Sequence, residues 1–276
     1  MNRILKTAIH PNIRLSVHCK ELLQWVSELD INVDFSLIVA DSITLSNEIL
    51  SGNIDLGIYR LDQLPFFDEN QNLVITALTG EHGQGETLAI RADKFDPTKD
   101  LRISHGATIW TQHKRQSIQL QHLNPNIEIK EYLLTDDEFA REVKDHHPDA
   151  FIYNPYVSSE QYKNIANYRF VHLHPTEVIG LPGHNIIAYV TQKDNIELRR
   201  ILKTIHVQTL VQKINLERTV LQLAGREFGN KIGVYCHQDS YNNFHVHAVR
   251  WDDYKKVSTS QSTTSGLAEK ICELLF

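Results

Sequence analysis

"GNIDLGIYRLDQLP", residues 52–65, decides how this chain is read. Gly52 and Asn53 form a turn, "IDLGIY" is a short apolar run of strand length, and Pro65 stops it. A strand that ends this way displays its last polar side chains at its carboxyl end, where open α/β sheets place their sites. Those side chains are Tyr59, Arg60, Asp62 and Gln63, with no obvious nucleophile or base among them.

The surrounding sequence keeps a β/α rhythm. Upstream, "CKELLQWVSEL" spaces Leu22, Trp25, Val26 and Leu29 for a helix, "VDFSLIVA" reads as a strand, and "SITLSNEILSG" is a short helix ending near Gly52. Downstream, residues 73–91 read as two extended segments around "GEHGQG", which lacks the Lys-Ser/Thr ending of a phosphate-cradling loop and is a turn. "ATIWT", "HKRQSIQLQHL", "IEIKEYL", "DEFAREV" and "DAFIYN" continue the alternation to residue 154. After "EVIGLPGHNIIAYVT" and two amphipathic helices, "KIGVYC", "FHVHAVRW" and "KKVSTSQS" are three strands before a final helix, "GLAEKICELLF". The expected organisation is a first α/β domain of residues 1–89 with 177–194, a second of 90–176, and a small α+β domain of 195–276.

Composition narrows the functional classes. With 276 residues and 41% hydrophobic content, the chain can bury several cores. Its 28 basic and 34 acidic residues give a net charge of −6, which is no footprint for nucleic acid or an anionic membrane. No run approaches the roughly 20 apolar residues of a membrane span, and "MNRILKTAIHP" lacks a secretory apolar region, so a cytoplasmic protein is expected. Cys19, Cys236 and Cys272 are far apart and form no paired motif, which argues for buried thiols over disulfides or a thiolate metal site.

Five segments, in order, resemble hydroxymethylbilane synthase, also called porphobilinogen deaminase. "EILSGNIDLGIYRLDQLP" is similar to the family's segment ending HS-L-KD-LP, and "GATIWTQHKRQSIQL" to GA-x-VGTSSLRR-x-AQL. "DAFIYN", "GLPGHNIIAYV" and "ERTVLQLAG" are similar to DAIILA, PAPGQGALAIE and ER-x-x-L-x-GG. The resemblance runs from about Ser46 to the C-terminus. It implies two periplasmic-binding-protein-like α/β domains with a cleft between them and a third, α+β domain, the three divisions reached above from periodicity.

The resemblance also implies where the chemistry belongs, and there the sequence departs from it. The family's catalytic carboxylate matches Gln63, which can neither carry a proton nor supply a full negative charge. The preceding Lys matches Asp62. The cysteine that carries the family's dipyrromethane matches Glu227, which cannot form the thioether, so that cofactor is expected to be absent. Cys236, nine residues on, is the one alternative thiol nearby. Arg115 keeps the first of two paired arginines, but Gln116 replaces the second, and "LLTDDEFAR" has leucine or acid where the family's cations lie. "IRLSVHCKELL" lacks the family's early arginine motif, and "VADSITLSNEIL" is too short for its mobile lid.

The expected function is therefore that of a non-catalytic or repurposed relative, a monomer, that binds a small anionic or pyrrolic ligand. Arg60, Gln63, Thr111, Lys114, Arg115 and His184 are the ligand-binding candidates, His184 because it matches the Gln of PGQG at a hinge and the others because they close strands or open a helix. Two alternatives stay open, an active but divergent transferase and a haem- or metal-binding module. The second rests on fifteen histidines, among which His237, His245 and His247 form the best group, since an HxH on a strand puts both rings on one face. The same spacing arises on a solvent-facing strand.

Overall fold

The computed structural model describes residues 4–9, 32–35, 42–67, 71–80, 82–155, 161–162, 165–225, 228–229 and 231–276. In chain order the strands and helices are β1 (Ile4–Ile9), β2 (Asn32–Phe35), α1 (Ser42–Leu50), β3 (Leu56–Arg60), β4 (Leu73–Gly80), β5 (Thr87–Arg91), β6 (Thr108–Thr111), α2 (Lys114–Leu123), β7 (Glu128–Glu131), α3 (Asp136–His146), β8 (Ala150–Tyr153), β9 (Tyr168–His172), β10 (Ile186–Gln192), α4 (Ile196–Leu202), α5 (Val211–Ala224), β11 (Ile232–Gln238), β12 (Phe244–Arg250), β13 (Lys255–Gln261) and α6 (Leu267–Leu275). The helix expected over Leu22–Leu29 lies outside the described residues, as does most of "VDFSLIVA" beyond Phe35.

The chain divides into two compact units, Met1–His82 with Pro182–Asn215, and Gly83–Leu181 with Leu216–Phe276. The α/β class expected from the rhythm is what the sheets show. In the first unit the strand order is β2-β1-β3-β10-β4, and in the second β7-β6-β8-β5-β9. Each sheet has a parallel trio in second-first-third order, β1 pairing β2 and β3, and β6 pairing β7 and β8. Each trio is then flanked by an antiparallel strand, β10 beside β3 and β5 beside β8. A three-stranded antiparallel sheet, β11-β12-β13, is grouped with the second unit.

Hydrophobic patterning explains these layers. In β8 all four residues of "AFIY" are buried. Its alternate side chains feed two cores on opposite faces of one sheet, Ala150 and Ile152 packing with Leu88, Ile90, Ile109 and Leu120, and Phe151 and Tyr153 with Trp110, Phe139 and Tyr162. By contrast, β12 alternates: Phe244, Val246 and Ala248 face the core with Cys236, Val220 and Ile271, which leaves His245 and His247 on the other side. Helix α3 is capped at its start by Thr135, whose Oγ1 accepts from the Glu138 N–H while the Glu138 carboxylate accepts from the Thr135 N–H at 2.9 Å.

Close backbone approach fixes the antiparallel strand in the first unit. Gly80 ends β4 with φ +131° beside Ile186, and a Cβ there would run into the Asn185 carbonyl oxygen. Gly106 also has a positive φ, +70°, but opens onto free space. Gly80→Ala therefore costs about 2–4 kcal/mol and Gly106→Ala about 1, the difference being the steric part. Urea midpoints of the two variants check this, and equal losses would contradict it.

Candidate functional site

In the first unit the residues of the opening segment form one ion-pair group. β3 ends at Arg60 and the chain tightens into a 3-10 turn over Leu61–Gln63, closed by the Leu64 N–H on the Leu61 carbonyl at 3.1 Å. The spacing of two lets the Arg60 guanidinium fork onto its own turn: Nε donates to Asp62 Oδ1 at 3.1 Å and Nη2 to Oδ2 at 2.7 Å. From the turn before β10, His184 Nδ1–H donates to Asp62 Oδ2 at 3.2 Å, the polarity an ionised carboxylate requires. Gly183, at φ +78°, brings that turn against Leu61; a Cβ would lie 2.8 Å from the leucine side chain.

Asp62 is thus the centre of the group, with its side chain 2% exposed. Burial alone would raise its pKa, but the Arg60 charge and the contacts from His184 outweigh that and hold the carboxyl well below the usual range. It remains charged and holds no proton to transfer at neutral pH. Gln63, the position matched to a catalytic carboxylate, is exposed beside it. Sequence reasoning named Arg60, Gln63 and His184 but missed Asp62 as the residue joining two of them. The signal was the Arg-x-Asp spacing at a strand end.

In the second unit the candidates gather at the end of β6 and the start of α2. Thr111 is fully buried, its hydroxyl 2.7 Å from that of Ser117. Lys114 is exposed. Arg115, 9% exposed, does not point to solvent: its Nη2 donates to Oε1 of Glu86, a carboxylate 1% exposed. The other oxygen of Glu86 accepts from Gln116 Nε2 at 2.7 Å. Gln116 Oε1 in turn accepts from the backbone N–H groups of Gln112 and His113, both at 3.2 Å. Two of the donors that the helix start could offer an anion are therefore taken from within the chain. Arg115 Nη1 is buried and has no hydrogen-bond partner among the described residues.

The histidines share one face of the third sheet. His237 pairs with His245 across β11 and β12, and their rings stack at 4.9 Å; His237 and His247 stack at 5.5 Å. Tyr235 lies parallel to His237 at 5.6 Å, and His174 stands edge-on to it at 6.5 Å. Asp239 Oδ2 accepts from His245 Nε2 at 3.0 Å. The rings lie face to face instead of converging, and among the described residues no three His, Cys, Asp or Glu side chains are placed to hold a metal ion. Burial, then the charges of His237, Lys256, His245 and His174, press the His247 pKa down to about 4.

The cysteines play no such part. Cys236 is fully buried on the inner face of β11, and its backbone N–H donates to Glu217 Oε1 at 2.8 Å. Cys272 is partly buried, and burial together with Glu269 raises its thiol pKa. Glu227 and Cys19 lie outside the described residues. Among the described residues no helix is long and apolar enough to cross a membrane.

Comparison with known proteins adds one distant sequence relative. No protein-family model matches the chain. It is 23% identical over 234 residues, 82% of this chain and 75% of the other, to a probable porphobilinogen deaminase of Methanocaldococcus jannaschii. Among solved structures it is similar to an ancestral cationic amino acid solute-binding protein, with a TM-score of 0.47 and 12% identity over 73% of this chain and 87% of that one. A LysR-family transcriptional regulator, CbnR, gives 0.43 and 13% over 73% and 69%. An amino acid transporter substrate-binding protein of Streptococcus pneumoniae gives 0.40 and 14% over 73% and 87%. These scores are low, and no function passes from those structures to this chain.

Two outcomes follow. Asp62→Asn leaves Arg60 and His184 against an uncharged amide and costs about 3 kcal/mol, near the lower end for breaking a buried pair because Arg60 is partly exposed; Gln63→Asn, at an exposed position, changes stability by under about 0.5 kcal/mol. For His247 the folded pKa of about 4 lies below the ordinary 6.5, so the unfolded chain takes up the proton first. Its contribution is fully present above pH 6.5 and is lost as pH falls towards 4. The difference in Tm between the wild-type chain and His247→Gln should shrink over that window, and a constant difference would contradict the assignment.

Proposed function

We propose that this chain is a hydroxymethylbilane-synthase-like protein of tetrapyrrole metabolism that carries no dipyrromethane and performs no elongation, and that it binds a small anionic or pyrrolic ligand. One observation carries the reading. At the strand end matched to the family's proton-handling carboxylate, the side chain is exposed, neutral Gln63, and the adjacent carboxylate, Asp62, is buried between Arg60 and His184.

General acid–base assistance needs a group that can give and take a proton near the operating pH. Asp62 is held ionised by its partners and Gln63 has no proton to exchange. The cofactor does not fit the residues either: a thioether to a pyrrole methylene needs an accessible thiolate, and Cys236 is buried among Val234, Val246 and Ala248. The distant likeness to a probable porphobilinogen deaminase supports the pathway, and the retained polar strand ends support binding.

Calorimetric titration of the full chain with porphobilinogen, with free porphobilinogen assayed throughout, tests this. The expected result is saturable binding with no loss of porphobilinogen. Gln63→Asp should stay inactive, since one restored carboxylate does not supply a thiol. In the native protein Cys236 should fail to react with a water-soluble disulfide reagent over hours and react on unfolding. Turnover by either protein, or rapid native labelling of Cys236, would overturn the reading.

A further inference from the structure

We infer that Glu86 is a ligand-mimicking residue: it seats the chain's own carboxylate in a receptor made by Arg115 and Gln116, and so sets the charge that the second unit accepts. This rests on the binding reading above only for its biological use. The receptor itself is read from the second unit alone.

A carboxylate receptor needs a guanidinium edge, a second donor for the other oxygen, and shelter from water that strengthens both contacts. All three are present. Arg115 supplies Nη2 and Gln116 supplies Nε2, each to a different oxygen of Glu86. All three side chains are at least nine-tenths buried. The receptor is held rigidly: Gln116 is oriented by the Gln112 and His113 N–H groups, and Arg115 sits between them and Gln119, which grips both the N–H and the C=O of Ile179 at 2.8 and 3.0 Å.

The occupant is held as firmly. Glu86 directly precedes β5, its carbonyl accepts from the Leu173 N–H at 2.9 Å, and Gly85 packs so tightly that a Cβ would strike the Leu173 carbonyl oxygen. Arg115 therefore arrives at its task already neutralised. Its Nη1 is buried and without a hydrogen-bond partner among the described residues. With Glu86 in place, the receptor rejects small carboxylates by like charge and by occupancy. With Glu86 removed, it becomes a site for them.

Chemical rescue tests this on the full chain with formate as the probe. Glu86→Ala should bind formate at least ~10-fold more tightly than the wild-type protein, and its Tm should rise in formate but not in chloride of equal ionic strength. The gain should vanish in Glu86→Ala/Arg115→Gln. Glu86→Gln, which keeps the shape and one acceptor, should be well folded and gain less. A formate response equal to that of the wild-type protein, or one that survives loss of Arg115, overturns the inference, as does a Glu86→Ala protein that stays unfolded in formate. The function proposed above fails separately: if the wild-type protein ignores porphobilinogen while Glu86→Ala still takes formate through Arg115, the receptor stands and the tetrapyrrole reading falls.

Discussion

A desolvated carboxylate must be paired, and in this protein that constraint organises both polar strand ends. Asp62 is too buried to remain ionised alone, and its charge is kept only because Arg60 and His184 close on it from two elements, the end of β3 and the turn before β10. The pairing fixes the 3-10 turn, orients His184 and commits the guanidinium of Arg60. What such a strand end can do chemically follows from that commitment. A group that never releases its charge can position others but cannot shuttle protons.

The second unit repeats the logic with different residues. There the carboxylate is Glu86 and the guanidinium is Arg115, with a neutral third partner, Gln116. With Gln116 uncharged, Arg115 is the one cation of the trio, and a single carboxylate balances it. Breaking either pair strands a buried charge, whereas keeping it contributes little net stability. Both pairs are better understood as fixing which charges remain available at each strand end than as sources of stability.

The sequence made the layers legible because hydrophobic period and strand length are local signals. "DAFIYN" and "FHVHAVRW" read as strands from their patterns alone, and both segments form strands, β8 and β12. β9, "YRFVH", was not anticipated: only Val171 of its five residues is buried, so it carries little apolar signal, and its position as an edge beside β5 is set by pairing. The sites were legible as residues but not as partnerships. Arg60 and Arg115 were singled out as cations, yet their partners lie at two residues in one case and twenty-nine in the other. Glu86 gives no local hint of its role, because the contact exists only once β5 and α2 are assembled. The HxH of β12 shows the same limit. Period placed His245 and His247 on one face, but whether rings converge or stack depends on side-chain rotation, which spacing does not encode.

We propose that this chain carries out none of the covalent chemistry of porphobilinogen polymerisation. The most direct measurement is the denatured intact mass of the protein before and after incubation with porphobilinogen. The account predicts the mass of the bare chain, 31.8 kDa, in both samples. A stable increase by whole pyrrole units would mean that a side chain of this protein anchors a growing chain, and would contradict it.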